Sequence, residues 1–110
     1  GLVHHGGAGT TAAALQAGKA SIVIPFFGDQ PFWGNRLHSL NAGAAPIPLN
    51  KLTVERLAAG IKEITTNQTI IEHAAALGAS LREEHGVEKA VAIIESLVCK
   101  PNQALQRTSR

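Results

Sequence analysis

Two short apolar runs lead the chain, Leu2-Val3 and Ser21-Ile22-Val23-Ile24-Pro25, and each is continuous rather than alternating. That pattern is expected of parallel strands buried on both faces. Between them lie a glycine-rich turn and an alanine-rich helix from Thr10 to Ala17. Thr10 or Thr11 is placed to cap its start, and Gly18 to occupy the left-handed position after its end. The unit is β-turn-α-turn-β, which implies parallel strands joined by a right-handed crossover. A loop, Phe26 to Gln30, precedes a helix from Pro31 to about Leu40, with Pro31 in the first turn. Residues Asn41 to Asn50, with Gly43, Pro46 and Pro48 around Ile47, read as a loop holding one short edge strand. Thr53 then caps a helix over Val54 to Ile64, and Asn67 caps a longer one ending near Glu84. The second carries Ile70, Ile71, Ala74, Leu77, Gly78 and Leu81 on one face. His85-Gly86 breaks it, and a last helix from Val87 to Leu97 turns Val91, Ile94 and Leu97 inward.

The fold class that follows is α/β, with few parallel strands and a helical C-terminal half. Residues 1–98 form part of one domain, and residues 99–110, polar and glutamine-rich, read as a disordered tail. The chain has no Met and opens on a strand without neighbours, so truncation of a larger sheet is the simplest expectation.

Composition narrows the class. At 110 residues with 45% hydrophobic and 16% charged positions, the chain is globular rather than disordered. Its net charge of +2 owes much to Lys100, Arg107 and Arg110 near the C-terminus, and no basic stripe interleaves with aromatics. Nucleic acid is therefore not an expected partner. A lone Cys99 forms no internal disulfide and suits a reducing compartment, hence a cytoplasmic expectation. No apolar run approaches the ~20 residues of a bilayer span.

Two clusters carry chemistry. His4-His5-Gly6-Gly7-Ala8-Gly9-Thr10-Thr11 stands between a strand and a helix. Glycines let a backbone approach a bulky anion, and the helix that follows offers free N–H groups and a partial positive charge. The dipole contributes about 0.3–1 kcal/mol. Thr10 and one imidazole of the His4-His5 pair add side-chain donors. The competing account is a turn that only reverses the chain, against which stands its place at a strand's carboxyl end. Asp29-Gln30 follows the second strand, at the same sheet edge, and supplies the acceptors and donors that sugar hydroxyls need. Phe26, Phe27, Phe32 and Trp33 hold every aromatic; at least two are expected in a core patch, with Trp33 reaching the cleft. His38, His73 and His85 lack metal-ligand spacing and suit surface or capping roles.

Gly7-Ala8-Gly9-Thr10-Thr11-Ala12 also fits a dinucleotide fingerprint, with Asp29 about 20 residues on. That alternative is an oxidoreductase fragment. It gives no task to His4-His5 or the aromatic loop, and Asp29 stands four residues past Pro25, far for a ribose-binding acid.

Val3-His4-His5-Gly6-Gly7-Ala8-Gly9-Thr10-Thr11 and Pro25-Phe26-Phe27-Gly28-Asp29-Gln30-Pro31-Phe32-Trp33-Gly34 closely resemble the donor-site signature of family 1 glycosyltransferases. The likeness is strongest to the sterol 3-β-glucosyltransferase branch and its bacterial relatives. It continues through Gly43-Ala44-Ala45-Pro46-Ile47-Pro48, Leu52-Thr53 and Gly86-Val87-Glu88-Lys89-Ala90. The resemblance implies a GT-B fold of two Rossmann-like domains, this chain lying in the C-terminal, donor-binding one. It implies a UDP-sugar donor, usually UDP-glucose, as substrate rather than cofactor, no required metal, and inverting transfer to a lipid-like or other hydroxyl acceptor. Carried over by position, His4 contacts the diphosphate, Gly7, Ala8, Gly9 and Thr10 cradle it, and Asp29 and Gln30 hold the donor sugar. The catalytic base is expected in a missing N-terminal domain of the same protein, so no catalytic residue is assigned. A lipid acceptor would place the protein at a membrane periphery.

Three departures qualify the likeness. Ala12 stands where plant members carry a ribose-binding Glu. The usual Gly-Val-Pro is Gly18-Lys19-Ala20, which loosens that turn, and the final ten residues match no known pattern. Beside the transferase stand two alternatives, the oxidoreductase fragment and a non-catalytic remnant that binds nucleotide sugar.

Overall fold

A computed structural model describes residues 1–109, and side chains over residues 1–98. The elements in order are β1 (Leu2–His4), α1 (Ala8–Gln16), β2 (Ser21–Val23), α2 (Gln30–Ser39), a 3-10 turn (Leu49–Lys51), α3 (Val54–Thr66), α4 (Gln68–Glu83) and α5 (Gly86–Ser109). β1 and β2 are parallel in the register Leu2↔Ser21, Val3↔Ile22, His4↔Val23, with α1 as the crossover.

The expected edge strand in 41–50 is a single parallel bridge, Ser21↔Gly43, extended by three backbone hydrogen bonds. Ser21 N–H donates to Ala42 C=O (3.3 Å), Ala44 N–H to Ser21 C=O (3.1 Å) and Ile47 N–H to Val23 C=O (2.9 Å). β2 is thus flanked on both sides and wholly buried. β1 departs from the expectation of burial on both faces, since Leu2 and Val3 are 41% and 45% exposed. A continuous apolar run records that a strand is destined for burial, and β1 has only β2 beside it among the described residues.

The core centres on Ile22 and Val23, joined by Leu37 of α2, Ala42, Ala44 and Ile47 of the extended segment, Ile64 of α3, and Ile70 and Ala74 of α4. Full burial of a side chain such as Ile22 contributes about 1.5–3 kcal/mol. Small residues let the helices close in. Gly18 has φ +69°, the left-handed conformation expected after α1, and a Cβ on Gly78 would stand 2.5 Å from Gly18 Cα. The Gly18-Lys19-Ala20 turn is therefore tightly built: Gly18 N–H donates to Leu15 C=O and Lys19 N–H to Ala14 C=O.

Local chemistry sets most helix limits. Thr53 Oγ1 accepts from Arg56 N–H (3.1 Å), and Asn67 Oδ1 from Thr69 N–H (3.1 Å) and Ile70 N–H (3.4 Å). On α4, Ile70, Ala74 and Gly78 are buried and Ile71, Leu77 and Leu81 half-buried, as the periodicity predicts. α1 begins earlier than expected, at Ala8, with Gly7 rather than a threonine at its N-cap.

α5 corrects the sequence reading more sharply. It runs past Leu97 to Ser109, and Val91, Ile94 and Leu97 are 47%, 59% and 67% exposed rather than inward. Their spacing does form one helix face. Amphipathic spacing encodes a face but not its partner, and no described element lies closely against it. The expected disordered tail, 99–110, falls on residues whose side chains lie outside those described. No described helix is long and apolar enough to cross a membrane.

Candidate functional site

Both predicted clusters leave the carboxyl edge of the parallel pair. His4 ends β1, and its carbonyl accepts from Ile24 N–H (2.8 Å) just after β2. The two loops then meet at Gly6. Its φ is +91°, and a Cβ there would lie 2.7 Å from Val23 Cγ1 and 3.0 Å from the Gln30 carbonyl oxygen. Only glycine satisfies both the backbone and the space.

Gly6 N–H also donates to His4 Nδ1 (3.1 Å). An accepting Nδ1 carries no proton, so the neutral ring holds its hydrogen on Nε2. Burial pushes the His4 pKa below its ordinary value, and the nearby His5 adds to this, which favours the same neutral form. Nε2 is buried and has no partner among the described residues. A buried donor left unmade costs about 1–3 kcal/mol, which makes His4 Nε2 a candidate to donate to a ligand.

The N-terminus of α1 adds further donors. Gly7 is extended (φ −60°, ψ 145°) and no side chain caps the helix. The first intrahelical bond runs from Thr11 N–H to Gly7 C=O (2.8 Å), which leaves the N–H groups of Ala8, Gly9 and Thr10 to solvent. All three residues are exposed. Together they form an anion-binding geometry with partial positive charge. Thr10 is the accessible hydroxyl. Thr11, weighed in the sequence only as a cap, is buried with Oγ1 unpartnered. It shares the buried face of α1 with Ala14, three residues on.

On the second loop, the Gln30 carboxamide oxygen accepts from Phe26 N–H (2.7 Å) and Phe27 N–H (3.0 Å). Gln30 is buried and organises the loop from inside, a task the sequence did not reveal; only its Nε2 is uncommitted among the described residues. Asp29 is exposed at the N-cap of α2, makes no capping bond, and accepts from Trp33 Nε1–H at 2.9 Å. The expected aromatic core patch is not formed: Phe26, Phe27 and Phe32 are 60%, 76% and 59% exposed. Gln30 anchors the peptide of 26–27 and so leaves both phenyl rings outside. Half-buried Trp33 packs edge-on against Phe32, with centroids 4.9 Å apart.

The scattered histidines sit apart from this edge. His38 Nδ1 lies 3.5 Å from Gly43 C=O, and His85 (φ 51°) precedes α5 with Nδ1 3.7 Å from Glu88.

Comparison with known proteins identifies the family of the chain. Residues 1–97 match the model of the erythromycin biosynthesis protein CIII-like C-terminal domain. Among curated relatives, a sterol 3-beta-glucosyltransferase of Kluyveromyces lactis is 49% identical over 94 residues, 86% of this chain and 8% of its own length. The O-mycaminosyltylonolide 6-deoxyallosyltransferase of Streptomyces fradiae is 42% identical over 94 residues, 86% of this chain and 22% of its own length. The crystal structure of the glycotransferase of kitacinnamycin superposes with a TM-score of 0.78 at 28% identity, covering 86% of this chain and 24% of that one. The chain thus spans under a quarter of the length of each of these proteins.

Proposed function

The chain belongs to the erythromycin biosynthesis protein CIII-like C-terminal domain family, and on that premise we propose that it is the donor-binding part of an inverting hexosyltransferase. The donor is a UDP-sugar of the UDP-glucose type, and the acceptor a hydroxyl of a lipid-like or other small molecule. His4 and the backbone of Gly7, Ala8, Gly9 and Thr10 hold the diphosphate; Asp29 and Gln30 hold the sugar. An N-terminal domain of the same polypeptide supplies the base and the acceptor wall.

The observation that carries this reading is the buried, unpartnered His4 Nε2 at the end of β1, on the loop that leads into the uncapped start of α1. Charge builds on the diphosphate as the bond to the sugar breaks. Neutral N–H donors that meet that position stabilise the developing charge more than the ground state. On the sugar side, Asp29 keeps one carboxylate oxygen without a partner among the described residues, and Gln30 offers Nε2.

The test is calorimetric titration of UDP-glucose, UDP and NAD into the full-length protein. Binding of both uridine ligands with no heat from NAD is expected. Preference for NAD would replace this reading with the oxidoreductase one.

A further inference from the structure

The sequence leads to the expectation that Trp33 reaches the cleft, and the structure gives it a defined partner. From its bond to Asp29 we infer that Trp33 is a positioning residue for donor-sugar recognition, an inference that rests on the role proposed above for Asp29. An N-cap aspartate ordinarily turns its carboxylate back onto the N–H of the second or third helical residue. In α2 the second is Pro31, which has no N–H, and the carboxylate accepts from no backbone N–H of the helix. It reaches forward instead, so that Oδ2 accepts from Trp33 Nε1–H at 2.9 Å.

The indole is itself held. Trp33 N–H donates to Asp29 C=O (3.2 Å), and the ring is half-buried with its T-shaped contact to Phe32. One carboxylate oxygen is thereby held by a donor whose own ring is restrained, and the other has no hydrogen-bond partner among the described residues. The bond favours one Asp29 rotamer at an exposed position where several are open, and so restricts where the second carboxylate oxygen can lie. A residue acting in this way alters hexose recognition and leaves diphosphate recognition untouched.

The test uses Trp33→Phe in the full-length protein, which keeps an aromatic ring and removes the N–H. The dissociation constant and KM for UDP-glucose should rise about tenfold (~1.4 kcal/mol), while that for UDP stays within about twofold. In an Asp29→Ala background Trp33→Phe should add nothing, because the bond it removes is already gone. If Trp33→Phe weakens UDP as much as UDP-glucose, or adds fully to Asp29→Ala, the ring is merely structural and the inference is overturned. If Asp29→Ala weakens UDP-glucose and Trp33→Phe does not, the inference fails while the sugar role of Asp29 stands. If Asp29→Ala itself has no effect, the sugar role fails and the inference with it. Should Trp33→Phe not fold, the indole N–H resonance of the unsubstituted protein, identified by its displacement in Asp29→Asn, decides the question. It should move on adding UDP-glucose and stay in place with UDP; equal movement with both, or none with either, overturns the inference.

Discussion

Replacing His4 discriminates between its two nitrogens. Nδ1 accepts from Gly6 N–H, and Nε2–H is the buried donor without a partner. His4→Asn retains a short acceptor for Gly6 and removes the distal donor; His4→Ala removes both. A hydrogen bond to a charged group contributes about 1.5–3 kcal/mol, and loss of one charge-stabilising donor in a water-poor site about 2.7–4 kcal/mol. The expected loss in kcat/KM for His4→Asn is therefore about 2–4 kcal/mol, or roughly 30- to 900-fold. His4→Ala should match it and lose a further ~0.5–1.5 kcal/mol of folding stability through the missing Gly6 bond. His5 is exposed and lies just past the end of β1. His5→Ala should stay within ~0.5 kcal/mol of the parent in kcat/KM, as exposed substitutions do. The assay is initial-rate kinetics of the full-length protein with UDP-glucose varied, paired with thermal denaturation of each variant. Equal losses at His4 and His5, or the reverse order, would refute the assignment of the donor.

Thr10→Ala should weaken UDP and UDP-glucose by similar factors in calorimetry, because its exposed hydroxyl stands at the start of α1, the end proposed to hold the phosphates that both ligands share; a selective loss of UDP-glucose would contradict this. Gly78→Ala should destabilise the fold by about 1–3 kcal/mol in chemical denaturation. A Cβ there would approach Gly18 Cα to 2.5 Å, and an unchanged midpoint would mean that α1 and α4 yield easily. The lowered His4 pKa also has a sign. The unfolded chain, with His near 6.5, takes up a proton before the folded one does, so this stability is complete above about pH 6.5 and is lost as pH falls toward the lowered folded value. The melting temperature should drop on acidification through that window, and His4→Asn should flatten the drop. An identical profile in the variant would remove His4 as its source.

Features set by chemistry within a few residues were legible in the sequence. Thr53, Asn67 and Gly18 end or begin helices through bonds and dihedral angles that involve their immediate neighbours, and all three are observed. The α4 face was legible for a similar reason, since a 3.6-residue period and burial against a core coincide. What failed was whatever depends on a partner distant in the chain. Phe26, Phe27 and Phe32 are apolar, but apolarity does not disclose whether a pocket exists, and here Gln30 holds the loop that displays two of them. Val91, Ile94 and Leu97 failed in the same way. At the site, residue types and their meeting at one sheet edge could be read. The His4 tautomer, the inward task of Gln30 and the Trp33–Asp29 bond could not, because each is a choice among hydrogen-bond partners that only coordinates resolve.

The contact at Gly6 also bears on the entropy of association. Gly6 is bonded to His4 on one side and wedged against Gln30 on the other, and Gln30 in turn holds the peptides of Phe26 and Phe27. Fixing one residue's backbone costs about 1–2 kcal/mol, and flexible binding loops surrender that freedom when a ligand arrives. In this chain much of that freedom is given up on folding, by three hydrogen bonds that involve no ligand. Ligand binding should accordingly show little ordering of either loop in amide exchange. Loosening Gly6 should raise the entropic penalty of binding even where every direct contact survives.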